Sequence, residues 1–311
     1  MSPRVRGTFC LYLDTASVRH QVRRDGTPEP FRVKEEGMLP QIADFRAEAD
    51  ALRTLLVTLQ DQDWDRKTLF KNWTVNDVVQ HLHASDLMGA ASAAGPDSFE
   101  RMRSEIQALR DQGMSRLQET RHRLGHLTGK HLLETWYARV IDLCDTLSAL
   151  PPDARLAWWG PDMGVRMFAT ARQMETWAHG QEIYDLMGAD RQPTDRLRNI
   201  AELGVRTFGW TFANRGLSRP EPIPYVRLTT PSDAVWEWNP PSADNKVEGF
   251  ALDFCQVVTQ VRNVADTTLT VCGEPARQWM ALAQCFAGPP EDPPPPGARF
   301  RAGSEPRRTA S

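Results

Sequence analysis

Cysteine is scarce in this chain and follows no pattern. The five in 311 residues, Cys10, Cys144, Cys255, Cys272 and Cys285, are odd in number and widely scattered. None forms a CxxC pair, which excludes a disulfide framework and a thiolate zinc site as organising features. The chain also lacks any apolar run approaching the ~18 residues of a membrane span. Nothing near the start reads as a secretory leader, because the apolar stretch at 9–13 is too short for an h-region and ends at Asp14. Neither sign of charge dominates: 37 Lys and Arg against 40 Asp and Glu leave a net charge of −3. That balance gives no general pull toward nucleic acid or an anionic membrane, and no basic, aromatic-rich stripe supplies a local one. These absences predict a protein of the reducing cytoplasm with no membrane and no nucleic acid among its partners.

What is present is apolar surface, 41% of residues, enough for cores in the two domains that this length suggests. Residues 1–37 are rich in Arg and turn-formers without a sustained period. They read as a disordered extension, or as the product of a mis-assigned start where Met38 is the natural one. Ile42, Phe45, Ala49, Leu52 and Leu56 then recur at helical spacing, predicting a helix over 39–59. Thr74 as N-cap, with Asp77 three residues later, opens a second helix through His81 and His83 to about Gly89. A further helical stretch begins near Ser98, breaks at Gly113 and resumes to about Leu150, where Pro151 and Pro152 stop it. After a turn at Trp158-Trp159-Gly160-Pro161, a last helix covers 167–187. Four main helices suit an antiparallel bundle over 38–191.

Beyond Gln192-Pro193 the character changes to a smaller α+β domain, 192–288. Tyr225–Thr229 and Val235–Trp238 alternate as strands do, and Pro231-Ser232-Asp233 between them supplies turn chemistry, so they form a hairpin. Helices at about 249–261 and 275–286 follow, with a strand at 269–271 between them. Trp236 and Trp238 share one face of their strand, which suits core or pocket wall better than a base-stacking platform. From 289 to 311 the proline run excludes helix and sheet interiors and predicts disorder.

One stretch carries chemistry. In METWAHGQE, residues 174–182, Glu175 and His179 lie four apart and share a helix face. With position 168 opening a heptad, Phe168, Ala171, Glu175, Ala178 and Glu182 trace the inward seam, with His179 beside it. A buried carboxylate is costly unless something offsets its desolvation. A solvated Glu–His pair is the bland reading, but Arg172 and Thr176 already furnish a polar side elsewhere on this helix. Metal sites in bundle cores use Glu and His projecting inward from facing helices. A third ligand would then come from the second helix, as His81 on a stripe with Val78, Leu82 and Ser85, or as His83 with Val79 and Leu87. Residues two apart point about 200° apart, so only one of these faces the core, and periodicity does not choose between them. His20, His122, His126 and His131 read as surface residues. Two imidazoles and a carboxylate leave a coordination position open, as catalytic zinc sites do, although iron or nickel suits the same trio.

The stretch Trp73-Thr74-Val75-Asn76-Asp77-Val78-Val79-Gln80-His81-Leu82 resembles a helix motif of the mycothiol-dependent maleylpyruvate isomerase family, within the DinB-like metal-binding superfamily. Trp159-Gly160-Pro161-Asp162-Met163, Ala169–Arg172 and Met174–Gln181 resemble an actinobacterial-type branch of it. Residues 251–255, 258–260 and 283–290 are similar to that same branch. The likeness runs from about Met38 to Pro290. It implies a DinB-like four-helix bundle and the metal ligands His81, Glu175 and His179, so that His83 is not a ligand. It further implies a divalent metal, zinc favoured, and a low-molecular-weight thiol such as mycothiol. Two positions depart from the pattern: Glu182 stands in place of Asp, and Asn263 in place of a basic residue or His.

The function so implied is a metal- and thiol-dependent isomerase or S-transferase acting on a small electrophilic molecule, the thiolate adding to an electron-poor alkene. No cysteine of the chain is expected to be that nucleophile, and Cys144 reads as a structural thiol. The competing reading is a non-catalytic metal- and small-ligand-binding protein, which a fourth protein ligand at the metal would favour. The α+β domain is expected to shape the substrate pocket, with Arg262, Gln260 and Trp238 as wall candidates.

Overall fold

The computed structural model describes residues 38–151, 153–160 and 162–303. The expected N-terminal extension, with Cys10 and His20, lies outside them, as do residues 304–311. The described residues lie in one compact unit with two large hydrophobic cores, one within the helices and one beneath the sheet, and a small third cluster of Met88, Phe99 and Ile106.

Helices α1 (Pro40–Leu56), α2 (Val75–Ala93), α3 (Pro96–Asp111), α4 (Arg116–Leu124) and α5 (Gly129–Ala149) come first. A two-residue pair of strands follows, β1 (Arg155–Leu156) with β2 (Met163–Gly164), and then α6 (Val165–Met187). The four long helices pack α1 on α6 and α5, and α2 on α5 and α6, which is the expected bundle. The stretch read as one interrupted helix from Ser98 to Leu150 contains two breaks. Gly113, at φ 88°, ends the first piece, and a turn at Gly125–Thr128 with Gly129 at φ 59° separates α4 from α5. Glycine adopts such backbone without the Cβ clash other residues meet.

The start of α2 is held doubly. Thr74 Oγ1 accepts from the Asp77 amide at 3.1 Å while Asp77 Oδ2 accepts from the Thr74 amide at 2.8 Å, a reciprocal capping box. Arg121 of α4 then grips both oxygens of Asp77 at 2.6 and 2.7 Å. The cap thus anchors the helix that carries His81 to its neighbour.

Helix α6 corrects one expectation. Arg172 and Thr176, read as its polar side, are not turned to solvent: they are 2% and 0% exposed. The helix is surrounded by α1, α2 and the C-terminal module, so several of its polar residues pair with neighbours, while the Thr176 hydroxyl is buried without a hydrogen-bond partner. Arg172 Nε donates to Asp86 of α2 at 2.8 Å. Gln173 donates to the Arg196 carbonyl at 3.0 Å, and Asp185 pairs with Arg262 at 2.7 Å.

The C-terminal module begins with α7 (Leu197–Arg206) and α8 (Phe208–Ala213), neither expected from the sequence. It continues through β3 (Tyr225–Thr229), β4 (Val235–Trp238), β5 (Lys246–Phe250), α9 (Ala251–Val258), β6 (Thr270–Cys272) and α10 (Glu274–Leu282). Strand order is β4-β3-β5-β6; β3–β5 is parallel and the other pairs are antiparallel. The hairpin falls where its alternation placed it. Strand β5 was not expected, because it is short, half-exposed and contains Gly249.

The proline-rich segment is a second correction. Residues 289–303 are ordered against the module rather than disordered. Gln260 Nε2 donates to the Glu291 carbonyl at 2.7 Å, Asn263 Nδ2 to the Pro294 carbonyl at 2.8 Å, and the Gly297 amide to Asp266 at 2.9 Å. Proline cannot donate, but its carbonyl accepts, so side-chain donors can fix a segment that no ladder could.

Candidate metal centre

Helix α2 delivers His81, and α6 delivers Glu175 and His179 one turn apart. His81 Nε2 stands 3.3 Å from Glu175 Oε2, and His179 Nε2 stands 3.6 Å from the same oxygen. One donor atom from each residue falls within 4.8 Å of the others. Among the described residues no fourth His, Cys, Asp or Glu joins the cluster. His83 goes elsewhere: it is buried beside Arg139 of α5, with Nδ1 lacking a hydrogen-bond partner. His122, His126 and His131 are exposed.

Aromatic rings fix the imidazole planes. Trp73 stacks on His179 at 5.9 Å between centroids and 7° between planes, while Phe70 meets the same ring edge-on at 5.1 Å. Trp73 also packs against His81 at 5.4 Å, and the two imidazoles stand 4.6 Å apart. The capping-box turn that begins α2 therefore also supports both histidines.

The protonation states suit a cation. Burial pulls the His81 imidazole down to about 4, against the opposing effect of its hydrogen bond to the Glu175 carboxylate, so it is neutral at pH 7. Burial pushes Glu175 up, but hydrogen bonds with His179 and His81 outweigh that and hold it well below the usual carboxylate range. Metal ligands must be deprotonated, and a His₂Glu set with one side open matches catalytic divalent sites. The residues present therefore fit a divalent ion.

Two cavities open from the cluster. The larger, about 530 Å³, lies between the bundle and the module, reaching Leu203, Thr207 and Trp210 of the latter. The smaller, about 480 Å³, is bounded by Phe70, Lys71, Gln260, Glu291 and Arg299. The module thus shapes the site as expected. Of the three wall candidates only Gln260 takes part; Arg262 pairs with Asp185, and Trp238 donates to Glu202 at 2.6 Å.

Several site residues escaped the sequence reading. Arg116 lines both cavities, and no period or motif distinguishes it from other exposed arginines. Cys285 lines the larger cavity, where burial and then the Glu175 carboxylate push its thiol far up, so it stays protonated. Cys144 is fully buried and pushed up to about 12, chiefly by desolvation, in keeping with a structural thiol. Both departures from the family pattern touch the proline-rich segment: Asn263 donates to it, and Glu182 pairs with Arg299 at 3.2 Å. Their effect would fall on the wall of the smaller cavity.

The family model for the mycothiol maleylpyruvate isomerase N-terminal domain matches residues 45–184, which include all three cluster residues. Two relatives from Mycobacterium tuberculosis, the uncharacterized proteins MT0041 (strain CDC 1551 / Oshkosh) and Rv0036c (strain ATCC 25618 / H37Rv), are each 36% identical over 251 residues. The match covers 81% of this chain and 96% of each relative. A crystal structure of the mycothiol-dependent maleylpyruvate isomerase aligns with a TM-score of 0.43 at 14% identity, over 70% of this chain and 87% of that one. A mutant of the same enzyme aligns with a TM-score of 0.42 at 15% identity.

Proposed function

The chain belongs to the mycothiol maleylpyruvate isomerase family, and from that premise we propose that it is a divalent-metal enzyme using a low-molecular-weight thiol. Its reaction is isomerisation of, or S-transfer to, a small electrophile. The observation that carries this reading is the convergence of His81, Glu175 and His179 at the meeting of two cavities, with no fourth His, Cys, Asp or Glu among the described residues. His81, Glu175 and His179 would hold a divalent ion, zinc by preference, and that ion would lower the pKa of a thiol such as mycothiol so that a thiolate nucleophile would be available at neutral pH for an electron-poor alkene.

The chain's own residues prepare that chemistry. His81 and Glu175 are held in the protonation states that ligation requires. Trp73 and Phe70 hold the His179 ring and line the smaller cavity beside it. Cys285 stays a thiol, in keeping with a nucleophile supplied by an added thiol. Arg116 supplies positive charge where the cavities join.

The test uses protein purified without a histidine tag. Elemental analysis should find one divalent ion per chain. The cobalt-substituted protein should develop a sulfur-to-metal charge-transfer absorption on adding mycothiol or a surrogate thiol, and Glu175→Ala should not. A metal-loaded protein that shows no such band with any thiol would instead be a non-catalytic metal- and small-ligand-binding protein.

A further inference from the structure

The two cavities differ in chemistry. The larger is walled by Met88, Ile106, Trp158, Met163, Met167 and Phe168. Methionine is flexible and polarizable, and a wall rich in it adapts to bulky apolar bodies. The smaller cavity is the more polar of the two, presenting Lys71, Glu182, Gln260, Glu291 and Arg299 beside Phe70 and Trp73, which suits a more hydrophilic ligand.

Charge along the larger cavity is almost entirely matched. Arg172 Nε is paired with Asp86 at 2.8 Å, and Arg110 and Arg123 share Glu119 at 3.2 and 2.8 Å, so each of these charges is neutralised even though Arg172 Nη2 and Arg110 Nε have no hydrogen-bond partner of their own. Arg116 differs. It is exposed, makes no side-chain hydrogen bond or ion pair among the described residues, and lines both cavities together with His81 and Glu175. A ligand here finds one uncommitted guanidinium beside the donor cluster and apolar walls beyond it. A single carboxylate at Arg116 is matched, whereas a second one carried into the methionine-lined space would meet only guanidiniums already neutralised by Asp86 or Glu119, at high cost.

We propose that the electrophile is a conjugated monocarboxylate with a large apolar substituent, aryl or branched alkyl. Its carboxylate lies at Arg116 and its substituent fills the larger cavity. The smaller cavity is left to the hydrophilic thiol. This assignment rests on the thiol-using reading of the site and names the class of substrate for it.

The experiment measures binding of (E)-4-phenylcinnamate and of maleate to the metal-loaded protein, by calorimetry and by tryptophan quenching, without thiol. Phenylcinnamate should bind saturably and at least about tenfold tighter than maleate, since burial of two rings far exceeds what maleate can bury. Arg116→Gln should weaken it roughly tenfold, the usual scale for a lost charge-assisted contact. Ala171→Phe, which fills the larger cavity, should abolish binding while metal content stays at one per chain. Should that variant not fold, Trp159→Ala at the exposed edge of the same cavity should weaken binding instead. Equal or tighter maleate binding, no saturable phenylcinnamate binding, or indifference to Arg116→Gln would each overturn the proposal. The thiol reading is scored separately: loss of the cobalt–thiol band with phenylcinnamate binding intact would sink that reading alone.

Discussion

His81 Nε2 and Glu175 Oε2 lie 3.3 Å apart although 94 residues of chain separate them. That distance joins α2 to α6 and brings a neutral imidazole to an ionised carboxylate, with His179 Nε2 on the same oxygen side at 3.6 Å. Replacing His81, Glu175 or His179 with Ala should abolish stoichiometric metal binding. His83→Ala should keep it and instead lose stability by about 1–3 kcal/mol, since it deletes a buried side chain that has no role in the cluster. Elemental analysis and urea denaturation on the four variants separate the outcomes. Equal metal loss for His83→Ala and His81→Ala would reassign the α2 ligand.

The Asp86–Arg172 pair joins the same two helices one level deeper, both side chains being essentially inaccessible. Burial pushes Asp86 up, against Arg172 and the indole of Trp136. Arg172→Met should cost about 3–5 kcal/mol, because it strands a buried carboxylate. Asp86→Leu combined with Arg172→Met should recover most of that loss. A denaturation series in which the double variant is no better than the single one would contradict this account.

Glu182 gives the stability a definite pH dependence. Burial raises its carboxyl from 4.5 to about 7, against the attraction of Arg299. In the interval between those two values the folded chain holds a proton that the unfolded chain has released. Stability therefore falls as pH rises from about 4.5 to about 7, by at most about 3 kcal/mol for this group. Glu182→Gln should flatten that part of the profile, as read from urea midpoints between pH 5 and pH 8. A wild-type profile rising over that window, with no change in the variant, would refute it.

Close packing of the module can be tested at Gly204 of α7. A Cβ there would meet Val258 Cγ2 at 2.8 Å and Phe254 at 3.1 Å, and a β-branched neighbour has little freedom to yield. The ~1 kcal/mol gained in helix propensity is smaller than the usual overpacking cost of about 1–3 kcal/mol. Gly204→Ala should lower stability by about 1 kcal/mol on thermal or urea unfolding. A stabilised variant would mean that α7 and α9 separate more easily than their packing suggests.

The sequence by itself determined the features that local chemistry controls. The spacing of Ile42, Phe45, Ala49, Leu52 and Leu56 dictates α1, and all five are fully buried. Thr74 and Asp77 dictate where α2 begins, and the alternation at 225–229 and 235–238 dictates the hairpin. The i, i+4 spacing of Glu175 and His179 put both on one helix face. Each of these depends on residues within a few positions of one another, which is the range over which helix and strand periods operate.

Only the tertiary structure decided the rest. Helical period put His81 and His83 on different faces but could not say which face meets α6, because that depends on how two distant helices pack. Arg172 and Thr176 marked a polar side of α6, but α1, α2 and the module enclose that helix on several sides. Helix α7, the second break before α5 and the ordered proline-rich segment rest on partners far along the chain. Arg116 and Cys285 reach the site only because α4 and the end of the module come to the mouth and wall of one cavity. A cavity belongs to no single segment, so no local pattern of residues encodes its lining.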